Sequence, residues 1–259
     1  MKVLSLFDGI SCGRVALERA CINIEKYYAS EIKEEAIKVS KDNYQDIIQL
    51  GNVKDVQYIE NIDLVMFGSP CQDFSVAGKA DRTGINGERS GLFYEAVRIL
   101  KLIKPKYFLM ENVRMKKEWQ DIISKELGVE PININSKLVS AQLRNRFYWT
   151  NIPNVSQPKD KGIMLKDILE SGYTDREKSR AILESESRPL VSKDKMYRRY
   201  KQTGFTTIVY EKSIEDKENI RYFTQIELER LQTLPDGYTK CLARNKAAGV
   251  SGTVGLLML

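Results

Sequence analysis

The sequence predicts an α/β fold built on a doubly wound sheet, and two observations carry that reading. Short apolar segments alternate with amphipathic ones, and the residues just after several of them are the types that bind ligands or do chemistry. The apolar segments are Val3 to Phe7, Tyr27 to Ser30, Asp63 to Phe67 and Tyr107 to Met110. Further candidates are Asn133 to Val139 and Arg146 to Thr150, and Gly91 to Ile103 is the clearest amphipathic helix. Strands that alternate with helices make such a sheet. From Gln157 to about Ile220 the texture turns polar and rich in Lys and Arg. A helix is then expected from Phe223 to Pro235, with Thr224 as N-cap and Glu227 three residues on, the capping-box spacing. The chain thus reads as a main domain over residues 1–153, a small region over 154–220, and a closing segment over 221–259 that returns to the main domain.

The 259 residues, 42% of them apolar, are ample for a buried core. No run approaches the length that spans a bilayer, so no membrane partner is expected and the cytoplasm is the expected compartment. The four cysteines, Cys12, Cys21, Cys71 and Cys241, show no CxxC spacing, which argues against a disulfide framework or a zinc site. No metal is expected. Histidine is absent, which excludes every Ser-His, Cys-His and His-metal mechanism. The net charge of +6 permits a polyanionic partner.

Ligands of open α/β sheets bind outside the carboxyl ends of the strands. After the first expected strand comes Asp8-Gly9-Ile10-Ser11-Cys12-Gly13, a short turn into a helix. Glu31 follows the second, about twenty residues on, where nucleotide-binding folds place an acid on ribose hydroxyls. Pro70-Cys71 follows the third, and Glu111, Asn112 and Val113 follow the fourth. The first turn lacks the phosphate-cradling glycine patterns, so a nucleoside cofactor without phosphate, such as S-adenosyl-L-methionine (AdoMet), suits it. The same glycines would equally serve a tight strand-to-helix packing.

The segments "SLFDGISCG", "GSPCQDFS", "ENV", "QLRNR" and "RYFTQIELERLQTLPDGY" resemble, in order and rough separation, the cytosine-5 DNA methyltransferase family, from residue 3 to about 238. They look most like its eukaryotic de novo branch and the bacterial and phage relatives. The resemblance implies a Rossmann-like class I AdoMet-dependent methyltransferase sheet with a small target-recognition region. It also implies double-stranded DNA as substrate, and a restriction endonuclease is a conceivable partner.

In that family a thiolate adds to carbon 6 of cytosine, carbon 5 then takes the methyl group, and loss of the carbon-5 proton releases the thiol. Cys71 matches the nucleophile, in keeping with the reactivity of thiolates. Glu111 would contact ring N3 and the exocyclic amine, offsetting the charge that develops on attack. Arg146, with Arg144, would hold the O2 side of the base. For the cofactor, the family pattern sets Phe7 against adenine and the backbone of Asp8, Gly9 and Ile10, on to Gly13, near the methionine part. Glu31 would bind ribose and Ile32 would pack on adenine, with Val53, Pro70 and Leu92 in the same pocket. Asn52 stands where the family usually has Asp; its side-chain oxygen still accepts the adenine amino group, with weaker binding expected.

A duplex hides carbon 6 within the stack, so the cytosine must be flipped out. Gln72 to Arg89 is expected to close on DNA, with Gln72, Ser75, Arg82 and Arg89 as contacts. In the polar region, Lys193, Lys195, Arg198, Arg199 and Lys201 would contact phosphates and set register, with Tyr197 and Tyr200 interleaved. At the closing element Val250 stands where the family has Asn, so an altered cofactor pocket is expected there. Two rival readings remain: a methyltransferase-like protein that binds DNA without catalysis, and an RNA cytosine methyltransferase.

Overall fold

The computed structural model describes residues 1–69, 91–182, 188, 192–203, 207–214 and 216–253. Those residues fall into two compact units, one of residues 1–134 and 145–157, the other of 135–144 and 158–253.

In the first unit, five strands run in parallel: β1 (Lys2–Leu6), β2 (Lys26–Ser30), β3 (Ile48–Gln49), β4 (Leu64–Phe67) and β5 (Tyr107–Val113). With β6 (Ile132–Asn135) and β8 (Asn145–Thr150) they form one sheet in the order β3-β2-β1-β4-β5-β8-β6. β8 lies antiparallel to β5. The helices of this unit are α1 (Cys12–Arg19), α2 (Glu34–Asn43), α3 (Gly91–Ile103) and α4 (Lys117–Leu127).

The central strands are apolar on both faces, as a sheet covered on both sides requires. Successive side chains therefore feed two different cores. Leu4, Leu6, Val65, Phe67, Met110 and Trp149 pack with Phe93, Ala96 and Ile99 of α3 and Ile123 of α4. The alternate residues Val3, Ala29, Leu64, Met66 and Tyr148 pack with Leu17 of α1. Trp149 is fully buried and satisfies its indole N–H on Ser124 Oγ of α4 at 3.0 Å.

The doubly wound α/β sheet expected from the sequence is present, with local corrections. The fourth expected strand does not stop at Met110 but runs through Glu111, Asn112 and Val113, because β8 pairs with it to that point. The candidate strand Asn133 to Val139 ends at Asn135, whose side chain accepts from Lys137 N and turns Ser136–Leu138 into a 3-10 helix. The two-residue β3 is a strand that the apolar pattern does not announce.

In the second unit, β7 (Gln142–Leu143) pairs in parallel with β9 (Ser179–Arg180), and β10 (Val209–Tyr210) antiparallel with β11 (Ile220–Arg221). The helices are α5 (Lys193–Thr203), α6 (Gln225–Leu231) and α7 (Arg244–Thr253). The capping box at Thr224 and Glu227 is formed. Glu227 is fully buried and also takes a bidentate contact from Arg221, at 2.7 and 2.8 Å. Burial raises its pKa, but the Arg221 guanidinium and the N–H groups of Thr224 and Glu170 outweigh that and hold it below the usual carboxylate range. The helix ends at Leu231, short of Pro235. Thr233 turns left-handed (φ 54°), and the N–H groups of Thr233 and Leu234 donate back to Arg230 O and Glu229 O. Those bonds satisfy the last carbonyls and stop the helix.

Gly172 (φ +86°) approaches a neighbouring backbone so closely that a Cβ would lie 2.6 Å from Tyr210 O, whereas at Gly162 (φ +66°) a Cβ would meet nothing within 4 Å. Gly162→Ala should therefore cost only the left-handed strain, about 1–2 kcal/mol. Gly172→Ala should cost a further ~1–3 kcal/mol for the displaced backbone. Urea unfolding of the two variants side by side measures the difference.

Candidate active site

The turn after β1 is held in an unusual backbone form. Phe7, Gly9 and Ser11 all have positive φ, at 56°, 61° and 59°. A left-handed residue with a side chain costs about 1–2 kcal/mol, so the surroundings must hold Phe7 and Ser11 there. Phe7 packs against the core, and Asp8 N donates to Ser30 O at the end of β2 at 3.1 Å. Ser11 does not cap α1 with its hydroxyl; it gives its proton to Asp8 Oδ2 at 2.5 Å. Tyr27 OH donates to the other oxygen at 2.8 Å. Ser40 Oγ of α2 lies 2.8 Å from Ser11 Oγ and closes the cluster.

Burial lifts the Asp8 carboxyl to about 6, against the lowering effect of hydroxyls from Ser11, Ser5 and Tyr27, and the charge of Glu31 adds to the rise. The resemblance implied a role only for the backbone of Asp8. Its side chain, with Ser11, Tyr27 and Ser40, is a polar cluster that the motif reading missed. The one local signal was the spacing of Asp8 and Ser11, which suits a side-chain-stabilised turn. Ile10 is fully buried. At Gly13 a Cβ would lie 2.6 Å from Met66 Cε, so this glycine serves strand-to-helix packing, whereas the space beside Gly9 is open.

Glu31 links the ends of β1 and β2. Its Oε2 accepts from Gly9 N at 2.8 Å, and its Oε1 accepts from Ile32 N and Lys33 N at 2.8 and 2.9 Å. A carboxylate has about four acceptor sites. Three backbone bonds leave one on Oε2, enough for a hydroxyl. Ile32 beside it is 71% exposed, an apolar surface with little cover. Asn52 Oδ1 accepts from Lys54 N at 3.1 Å and retains a second lone pair. Val53 is buried, and Leu92 packs against the same core as Phe7. An acceptor for a hydroxyl, an acceptor for an amine, an open glycine edge and exposed apolar surface fit a nucleoside cofactor.

Because β1, β2, β4 and β5 are parallel, the end of β5 shares this edge. Glu111 is 3% exposed, and its Oε1 lies 2.6 Å from Arg146 Nε. The contact is an ion pair by distance, without the N–H alignment of a hydrogen bond. Register explains the meeting: Glu111 is opposite Tyr148, so Arg146, two residues earlier on β8, is its diagonal neighbour on the same face. Arg146 also donates from Nη1 to Asn145 O at 2.9 Å. Asn112 Nδ2 donates to Ser69 Oγ at 3.3 Å, joining β5 to the loop after β4.

Arg144 is buried and belongs to the second unit. Pro70, Cys71, Gln72, Ser75, Arg82 and Arg89 lie outside the described residues.

In the second unit, all five basic residues expected to contact DNA lie on α5. Met196 and Tyr200 form its buried face, and Lys195 and Arg198 point to solvent from the opposite side. Lys193 Nζ donates to Glu218 O, and Lys201 Nζ meets Asp175 at 3.0 Å and lies over the rings of Tyr197 and Tyr200. Arg199 is half-buried. Helical spacing thus divides what the sequence presented as one cluster. Residues 244–253, including Gly249 and Val250 of the atypical closing element, form α7, whereas Val254 lies outside the described residues.

Sheet order and strand-end chemistry define a Rossmann-like methyltransferase fold. Solved structures of that class match nearly the whole chain. The Entamoeba histolytica methyltransferase EhMeth aligns with a TM-score of 0.75 at 19% identity, over 98% of this chain and 93% of that one. A Spodoptera frugiperda DNMT2 mutant aligns at 0.67 and 19%, over 97% and 94%. Residues 1–125 match the model of the C-5 cytosine-specific DNA methylase family. The type II methyltransferase M.NgoBV of Neisseria gonorrhoeae is 32% identical over 245 residues, 84% of this chain and 54% of the relative. The orphan methyltransferase M.SPRI of Bacillus phage SPR is 37% identical over 118 residues, 44% and 26%. The chain spans about half the length of M.NgoBV. No helix among the described residues is long and apolar enough to cross a membrane.

The raised Asp8 pKa has a definite sign. Its contribution to stability is fully present below about 4 and is lost as pH rises through about 6. Asp8→Asn should therefore gain on the parent protein by about 1–3 kcal/mol between pH 4 and pH 7.5. The half-buried position of Asp8 favours the lower part of that range. Urea unfolding at the two pH values checks it; a difference independent of pH would contradict the assignment.

Proposed function

We propose that the protein is a DNA (cytosine-5)-methyltransferase, which moves a methyl group from AdoMet to carbon 5 of a flipped cytosine in duplex DNA. The observation that carries this reading is the buried carboxylate of Glu111 beside Arg146 at the sheet edge that also bears Glu31 and the Gly9 turn. A carboxyl in that setting can hydrogen-bond ring N3 and the exocyclic amine and offset charge on the ring. Arg146 would orient that carboxyl and hold the O2 side of the base, and the resemblance gives Arg144 the same role toward O2.

AdoMet, when bound, supplies an electrophilic methyl group. Glu31 would take a ribose hydroxyl on the free site of Oε2, Asn52 the adenine amine, and Phe7, Ile32, Val53 and Leu92 the apolar faces, with Pro70 completing the pocket. The Cys71 thiolate would add to carbon 6 and leave again after carbon 5 is methylated and loses its proton. Gln72, Ser75, Arg82 and Arg89 would contact the duplex. On α5, Lys195 and Arg198 are the residues free to meet phosphates, whereas Lys193 and Lys201 serve the unit's own structure. Region 154–220 would be the target-recognition region and 221–259 the segment that completes the enzyme. Relatives named as type II and orphan methyltransferases support duplex DNA as the substrate and are compatible with a partner endonuclease.

Labelled AdoMet with unmethylated duplex DNA, beside a transfer RNA substrate and the Cys71→Ala variant, tests the proposal. Cys71-dependent label in duplex cytosines, mapped by bisulfite sequencing, is the expected result. Label in transfer RNA alone would overturn DNA as substrate, and duplex binding without label would favour the non-catalytic reading. Glu111→Gln should lower kcat by roughly 10²–10⁴-fold, the range of a lost general acid–base contribution. Its AdoMet affinity, followed by calorimetry, should change little.

A further inference from the structure

Lys178 belongs to none of the motifs and lies just before β9, in the polar stretch. Its ammonium donates to three backbone carbonyls: Lys137 O at 2.8 Å, Ser140 O at 3.0 Å and Ile163 O at 2.5 Å. An ammonium has three donors, and here each has an acceptor. Two of the acceptors belong to the tight loop between β6 and β7, and the third to a separate segment of the same unit.

That loop leads through β7 to Arg144. The Arg144 N–H donates to Asn135 Oδ1 at 3.2 Å, and its carbonyl accepts from Ser136 N at 3.0 Å. Ser136 Oγ donates to Gln142 O at 2.8 Å, Gln142 N donates to Ser140 Oγ at 3.1 Å, and Ser140 Oγ donates to Ser136 O at 3.1 Å. Ser179, the neighbour of Lys178, donates its N–H to Ala141 O at 2.8 Å and begins the strand paired with β7. The Lys178 backbone therefore leads into the strand paired with β7, just before Arg144, while its side chain holds the loop that precedes β7.

We propose that Lys178 is a positioning residue for Arg144. It fixes the 136–144 segment so that the arginine is presented in one orientation to the base. The proposal rests on the cytosine-binding role given to Arg144 above. A compact ammonium can point three donors at carbonyls gathered around one point, whereas the planar guanidinium fork of arginine cannot. Lys178→Arg is therefore not a conservative change here.

The test is a double-mutant cycle of Lys178→Met and Arg144→Ala on methyl transfer to duplex DNA, joined to hydrogen exchange at each amide. Lys178→Met should lower kcat/KM by about 10- to 100-fold, the usual effect of losing a group that orients a functional side chain. AdoMet affinity should be unchanged, and the loss should vanish when Arg144 is already alanine. Additive losses, or a variant within about twofold of the parent, would overturn the proposal. Exchange at Arg144 and Ser136 should accelerate while the amides of α6 keep their protection. Unchanged exchange at Arg144 would overturn it even if the parent protein transferred no methyl group; that inactivity would sink only the proposed function. Lys178→Arg should behave like the methionine variant. If both lose protection throughout the second unit, Lys178 is a general structural residue and the proposal fails.

Discussion

Everything at the functional edge of the sheet depends on how the backbone after β1 is held in a form it would not adopt alone. Three of the five residues from Phe7 to Ser11 are left-handed, and only Gly9 is suited to it. The turn is held by the Glu31 carboxylate on Gly9 N and the Ser30 carbonyl on Asp8 N, both from the end of β2, and by its own Asp8 carboxylate on Ser11. Each acceptor or donor in this set stands at the end of a parallel strand or in the turn beyond one. Parallel pairing of β1 with β2 is thus what assembles the turn, and the three backbone bonds to Glu31 leave its carboxylate one further acceptor site. The strained backbone and the spare acceptor have the same source.

The ion pair at the end of β5 is built differently. Glu111 and Arg146 sit on neighbouring strands that run in opposite directions, and the pair forms as a diagonal of the antiparallel register. A carboxylate this deeply buried needs a partner, because an isolated charge there would cost several kcal/mol. The far end of the β5–β8 pair is pinned by Asn151, whose side chain bonds Phe108 N and Lys106 O, and by Thr150 Oγ1, which donates to Phe108 O. Register, and hence the distance between acid and guanidinium, is fixed from the opposite end of the ladder.

Much of this was legible in the sequence for a simple reason. Central parallel strands are apolar on both faces and short, so β1, β2, β4 and β5 stand out as runs, and in open α/β sheets ligands bind just beyond such runs. The capping box at Thr224 and Glu227 was readable because it is local. The features that stayed hidden depend on partners distant in the chain. Nothing near Glu111 announces that β5 continues past Met110, since β8 decides it. The five basic residues of α5 look alike as a string, yet helical geometry and the acceptors Glu218 O and Asp175 give two of them structural roles. Lys178 could not be singled out, because its three acceptors lie in loops whose paths no periodicity encodes. Asp8 looked like a backbone contributor because motif matching records spacing and says nothing about which hydroxyls fold over a carboxylate.

The reversal of β8 against β5 has a further consequence for how such a chain can diversify. β8 is antiparallel to β5, so Arg146 at its beginning lies beside Glu111 near the end of β5, and the geometry of the pair is set by the ladder between them. The length of chain spent on α4 and its connection to β6 does not enter that geometry. Insertions or deletions there can accumulate without changing the spacing of the two charged groups, whereas a one-residue slip between β5 and β8 would turn Arg146 to the other face of the sheet. The topology therefore separates a stretch free to drift in length from one confined to a single alignment.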